Sequence, residues 1–291
     1  MKGPAYVACL LLFALPAGVR TLHYSWWSDD AQPYLRALRQ ASPAAPLDLA
    51  PGETIRAGIV THHFLASALM VRFFAALQAR TSPETAILLG PNHFHHGLAN
   101  VSFSSLPWET PFGILEVDRS AVDQLKTATD LPEDPEAFTG EHSLGVLVPF
   151  VKYYFPHVRV VPILVDINAR DGALKALRGA LAAWLDNPHV LVLLSMDFSH
   201  GSADGIADSR DATAQEAITN LATAKVESLN VDCRKGLWAL LAALRQAGSF
   251  KVHISEHTNS ARLTGNLRQP DVTSYFTIYF TRREAVSPRP N

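Results

Sequence analysis

The chain has 291 residues, 48% of them hydrophobic and 18% charged, with a formal net charge of −2. That balance fits one large globular domain, or at most two small ones, and excludes a disordered chain. Near-neutral charge, with no basic stripe interleaved with aromatics, argues against a nucleic-acid partner.

Lys2 precedes an apolar run over residues 5–15, which Pro16, Ala17 and Gly18 then interrupt. The run is short for a bilayer span and suits the apolar region of a secretory signal. Leu15 stands where a small residue is wanted before a cleavage site at Ala17, so an uncleaved membrane anchor with Trp26 and Trp27 at the interface is the other reading. Residues 1–28 are therefore expected to be a signal peptide or N-terminal membrane anchor. The body would then be exported or membrane-anchored, with a cytoplasmic protein as the alternative. Residues 29–54 read as a linker carrying a short helix at 31–40, residues 55–283 as one α/β domain, and 284–291 as a tail.

Within that domain, short apolar runs at 57–60, 86–89, 158–165, 190–195 and 273–280 read as buried strands. Helical spacing falls between them at 64–79, 119–127, 143–155, 172–185, 212–223 and 233–246. Strand and helix in alternation predict helices covering a largely parallel sheet. The stretch 101–117, with Pro107 and Pro111, reads as a strand pair or loop excursion, and 204–211 as a mobile polar loop.

Cysteine is scarce and histidine is abundant. Cys9 lies in the leader and Cys233 has no obvious partner, which excludes a disulfide framework and a cysteine-based zinc site. Cys233 precedes Arg234 and Lys235, which would favour its thiolate, but it starts an apolar helix and reads as structural. There are twelve histidines, and three share one local design. Residues 57–60 run into Thr61-His62-His63, residues 86–90 into Pro91-Asn92-His93, and residues 190–195 into Met196-Asp197-Phe198-Ser199-His200. Each histidine follows the end of a buried strand, where open α/β sheets bind ligands. His62, His93 and His200 are thus expected to converge on one metal ion, since neutral imidazole suits iron, copper or zinc. His63, His95 and His96 read as supporting or exposed groups. His142, in Glu141-His142-Ser143, reads as a helix start or as a proton donor in the pocket. Asp197 reads as a ligand, an orienting group or a turn cap, and His200 as ligand or general base.

The ordered set Gly58-Ile59-Val60-x-His62, Leu89-Gly90-Pro91-Asn92-His93, Glu141-His142-Ser143-Leu144, Pro149-Phe150 and Ser195-x-Asp197-Phe198-Ser199-His200 resembles the Memo family, protein B of the AmmeMemoRadiSam system. Trp108-Glu109-Thr110-Pro111-Phe112-Gly113 and the late Thr258-Asn259-Ser260 segment also look like it. The resemblance implies a three-layer α/β/α sandwich with a largely parallel or mixed central sheet, LigB-like, related to class III extradiol ring-cleaving dioxygenases. It implies a mononuclear non-haem Fe(II) site, with copper or zinc as alternatives, in which His62 and His93 match metal-binding histidines. It implies His200 at the metal site, His142 as a further pocket histidine and Asp197 beside His200. Some relatives carry a cysteine after the Asn-Ser pair; here residues 261–265 contain none. Glu256 and His257 lie just upstream as candidates for the anionic ligand.

The functions in view are a redox or dioxygenase-like metalloprotein, with His142, His200 and Asp197 as catalytic groups, and a non-catalytic module binding a small molecule, peptide or anion in the histidine-lined pocket. A histidine-bound zinc hydrolase is a third.

Overall fold

All five apolar runs become strands in the computed structural model, which describes residues 20–23, 31–44 and 46–283. The leader lies outside the described residues but for 20–23, as does the tail. Among the described residues, no helix is long and apolar enough to cross a membrane. Two residues, Leu22–His23, form β1, and Gln32–Gln40 form α1. Helix α1 is attached through Tyr34, whose ring lies 5.0 Å from Phe64 and 5.2 Å from Phe150.

Strand β2 (Glu53–Val60) leads through a 3-10 turn, Phe64–Ala66, into α2 (Ser67–Gln78), and β3 (Thr85–Pro91) follows. The excursion at 101–117 divides. Strand β4 (Val101–Phe103) joins the main sheet, whereas β5 (Trp108–Thr110) and β6 (Gly113–Leu115) form a hairpin that β1 extends into a small three-stranded sheet. Asp118 caps α3 (Arg119–Ala128), its carboxylate accepting from the Ala121 amide at 3.1 Å. The helix expected over 143–155 is broken into α4 (His142–Gly145) and α5 (Val148–Tyr154). Pro149 has no amide hydrogen to continue a ladder, so it sits in the first turn of the second piece.

Strand β7 (Arg159–Val165), α6 (Asp171–Leu185) and β8 (Val190–Ser195) complete the parallel core. Helix α7 (Asp204–Thr219) includes the stretch read as a mobile loop, which corrects that reading. The physical reason is Asp211, buried within the polar run and accepting from the Ser199 hydroxyl at 2.7 Å. Helix α8 (Arg234–Ala247), β9 (Lys251–Asn259), α9 (Ser260–Thr264) and β10 (Ser274–Arg283) close the chain.

The seven-stranded sheet runs β4-β7-β3-β8-β2-β10-β9. Strands β7, β3, β8 and β2 are parallel, and β4 and β10 run against their neighbours. Helices α1, α2 and α5 pack together in one layer, and α3, α6 and α8 in another. The fold is the α/β/α sandwich with a mixed central sheet that the sequence led us to expect. Register is what positions the site. Val60 of β2 pairs with Ser195 of β8, and Leu89 of β3 pairs with Leu194. Three adjacent parallel strands thus end at one level, with β2 and β3 about 10 Å apart across β8.

Candidate metal centre

His62 stands two residues beyond the end of β2, and His93 two residues beyond the end of β3. Two imidazoles leaning in from either side of β8 can meet over its end, and these do: the rings lie 5.1 Å apart at 73°. His142, the first residue of α4, completes the group, 5.4 Å from the His62 ring and 4.4 Å from the His93 ring. One nitrogen from each of the three lies within 4.8 Å of the others.

Hydrogen bonding fixes which nitrogens are available. Ser195 Oγ has a single hydrogen, and it is donated to the Ser143 carbonyl at 2.6 Å. Its 2.9 Å contact with His62 Nδ1 must therefore be an N–H donated by the ring. Nδ1 of His62 carries the hydrogen, and Nε2 presents a lone pair to the cluster. His93 is set in the same way by Glu141. That carboxylate accepts from the His93 ring Nδ1 at 2.9 Å, from the His93 amide at 2.7 Å and from the Ser143 amide at 2.8 Å. Glu141 is thus both the N-cap of α4 and the anchor of His93. Burial raises its pKa, but hydrogen bonds from His93 and the amides outweigh this and hold it at about 2.

Two carboxylates face the same point. Asp232 Oδ2 lies 3.3 Å from His62 Nε2 and 3.7 Å from His93 Nε2, and Asp197 Oδ2 lies 3.8 Å from His62 Nε2. His62, Asp197 and Asp232 form a second set able to hold a metal. Asp197 is buried, its Oδ1 accepting from the Thr61 hydroxyl and, at 3.2 Å, from the His62 amide. The Asp197 amide in turn donates to both Asp232 oxygens at 3.1 Å, and the Asp232 amide donates to the Asp197 carbonyl. The loop after β8 and the loop before α8 are clasped together by this pair.

The electrostatics divide the three imidazoles. Burial drives His62 down to about 3, so it is neutral, and burial with the neighbouring His93 charge also lowers His142. Burial opposes charge on His93 as well, but Asp232 and Glu141 on either side carry it up to about 10. Burial raises Asp197.

His62, His93, His142 and Asp197 all stand at the cluster. His200 belongs to neither set: it is exposed, with its amide donating to Asn230 Oδ1 at 2.7 Å, though its ring is in electrostatic reach of Asp197. Met196 and Phe198 are buried, and the chain has moved away from the end of β8 by residue 200. Sequence patterning does not mark Asp232, because no strand precedes it. Its signal was a carboxylate at the start of an apolar helix. Glu256 and His257 are committed elsewhere. Arg72 grips the Glu256 carboxylate at 2.6–3.1 Å, and His257 Nε2 lies 2.9 Å from Asp211. His257, Asp211 and Asp208 form a third ligand-like set, in which Arg262 already pairs with Asp208 at 2.5 Å and His257 with Asp211. His63 meets the Tyr275 hydroxyl at 2.5 Å, His95 meets Asp166 at 2.5 Å, and His96 meets the Thr139 carbonyl at 3.2 Å. A cavity of about 610 Å³ bordered by Leu98, Leu131 and Arg170 touches none of the cluster, so chemistry rather than volume marks the site.

The family model described as Memo-like protein matches residues 21–279. A "MEMO1 family protein" of Caldivirga maquilingensis is 31% identical over 213 residues, covering 68% of this chain and 72% of its own length. Another, of Pyrobaculum arsenaticum, is 28% identical over 243 residues, covering 79% and 85%. Among solved structures, an uncharacterized protein of Escherichia coli K12 superposes with a TM-score of 0.52 over 76% of this chain and 99% of its own. At 13% identity the likeness concerns the fold alone.

Proposed function

The chain belongs to the Memo family, and from that premise we propose that it is a mononuclear non-haem iron protein acting as an oxidoreductase. The observation that carries this reading is the tautomer of His62: with Nδ1 tied to Ser195, the lone pair of Nε2 is aimed at the point that His93 and Asp232 also face. A buried cluster of imidazole nitrogen and carboxylate oxygen, backed by a second row of hydrogen bonds, suits a divalent transition metal, which would displace the His93 proton.

His62 and His93 would hold the ion, oriented by Ser195 and Glu141. A ferrous ion held there would supply one-electron chemistry toward a substrate and dioxygen. The protein's own groups handle protons. His142, kept neutral by burial, sits beside both rings and accepts a proton from a substrate hydroxyl. Phe94, whose ring lies 5.9 Å from His142, gives the substrate an apolar flank. His200, exposed and in reach of Asp197, passes protons to solvent.

Protein purified without chelator or histidine tag should retain about one iron per chain, and the double variant His62→Ala, His93→Ala should retain none. Undiminished metal in that variant ends the proposal. An oxygen electrode tests the reaction class. The ferrous protein should consume oxygen with catecholic compounds, and tight catechol binding without uptake would leave only a binding module.

A further inference from the structure

Resting on the metal reading above, the choice of ligands can be carried further. We propose that Asp232 is the anionic ligand of the ion, completing a two-histidine, one-carboxylate set with His62 and His93, while His142 stays off the metal.

One ion is all that the cluster accommodates. The two ligand sets share His62, and His62 has only one free lone pair, because Nδ1 donates to Ser195. Ring geometry then separates His93 from His142. An imidazole binds a metal with the lone pair that lies in its own plane. The His93 and His142 rings are stacked, 4.4 Å apart and only 19° from parallel, so their lone pairs run in near-parallel planes and do not meet on one ion. The His62 ring stands at 73° to His93, so the planes that hold their lone pairs cross instead of running parallel.

Asp232 decides between the stacked pair. Ligands about 2.1 Å from one ion stand about 3.0–3.5 Å apart; Asp232 Oδ2 lies within that span of His62 Nε2, at 3.3 Å, and just beyond it from His93 Nε2, at 3.7 Å. The carboxylate is only 11% exposed, and among the described residues no lysine or arginine pairs with it. Its only cationic neighbour among those residues is His93, which a metal bound at Nε2 would replace as the counter-charge. The Asp197 amide grips both Asp232 oxygens, so the carboxylate is held in place to receive the metal. Asp197 has its Oδ1 occupied by Thr61 and the His62 amide and acts as a positioning residue.

This set contains no thiolate. Cys233 adjoins Asp232 in sequence, but its sulfur packs against Gly236 in the first turn of α8. Two imidazoles and a carboxylate select ferrous iron over cuprous copper, which prefers sulfur.

The test uses Co(II) as an optical probe on the full chain. Asp232→Asn should weaken Co(II) binding by at least about tenfold, and His142→Gln should change it by less than about threefold. Asp232→Cys should add a thiolate-to-cobalt charge-transfer band in the near ultraviolet, which arises only if residue 232 touches the metal. Circular dichroism confirms folding of each variant. Wild-type affinity in folded Asp232→Asn, a cobalt-loaded Asp232→Cys without the band, or a loss in His142→Gln equal to that in His93→Gln overturns the assignment. Wild-type protein that binds no Co(II) would instead defeat the metal reading itself.

Discussion

His62 offers its Nε2 lone pair inward only while Ser195 accepts from Nδ1, and Ser195 does so only because the Ser143 carbonyl takes its hydrogen. The relay joins the end of β8 to α4 and makes the ligand state of one histidine depend on two other segments. Ser195→Ala should therefore keep the fold and lower metal affinity by about 10–100-fold, measured by Co(II) titration; unchanged affinity would mean that the tautomer is set otherwise. At this scale the sequence was partly legible. A histidine two residues past a buried strand is visible from patterning, and His62 and His93 were found that way. His142 was visible in Glu141-His142-Ser143. Asp232 was not, because it reaches the cluster from a loop, held by backbone bonds to Asp197 that leave no trace in composition.

Elements set the distances between these residues. Gly90 in β3 lies so close to α4 that an added Cβ would stand 2.7 Å from Ser143 Oγ and 3.0 Å from Leu144 Cδ2. Gly90→Ala should push α4, with Glu141 and His142, away from the sheet. It should destabilise by about 1–3 kcal/mol in chemical denaturation and weaken metal binding as well. At the other end of the sheet, Glu53 opens β2. The Thr281 hydroxyl, the Ala50 amide, His253 and Lys251 hold its pKa at about 2, against an ordinary 4.5, although burial pushes the other way. A carboxylate with a depressed folded pKa stabilises above its unfolded value, and that contribution is lost as pH falls toward the folded one. The advantage of wild type over Glu53→Gln in urea melts should be full at pH 6 and shrink between about 4.5 and 2. An advantage that stays constant with pH would place the stabilisation in packing. Strand β9 escaped sequence reading because it is an edge. Lys251, His253, Glu256 and His257 break the apolar pattern that marks buried strands, and only pairing with β10 makes the segment extended.

The whole molecule works by bringing three parallel strand ends to one level. The alternation of apolar strands and amphipathic helices was enough to predict the sandwich, because burial on both faces of the central strands writes itself into composition. Strand order was not legible, and order is what matters here, since β8 between β2 and β3 places Ser195 beneath the two histidines. The first half of α7 reads as loop from sequence because it is a polar stretch whose one buried carboxylate, Asp211, cannot be told from its exposed neighbours. Anomalous X-ray diffraction at the iron edge, on crystals of iron-loaded protein, tests the central claim most directly. The account predicts one peak, about 2.0–2.3 Å from Nε2 of both His62 and His93. A peak elsewhere, or none in protein that carries iron, would contradict it.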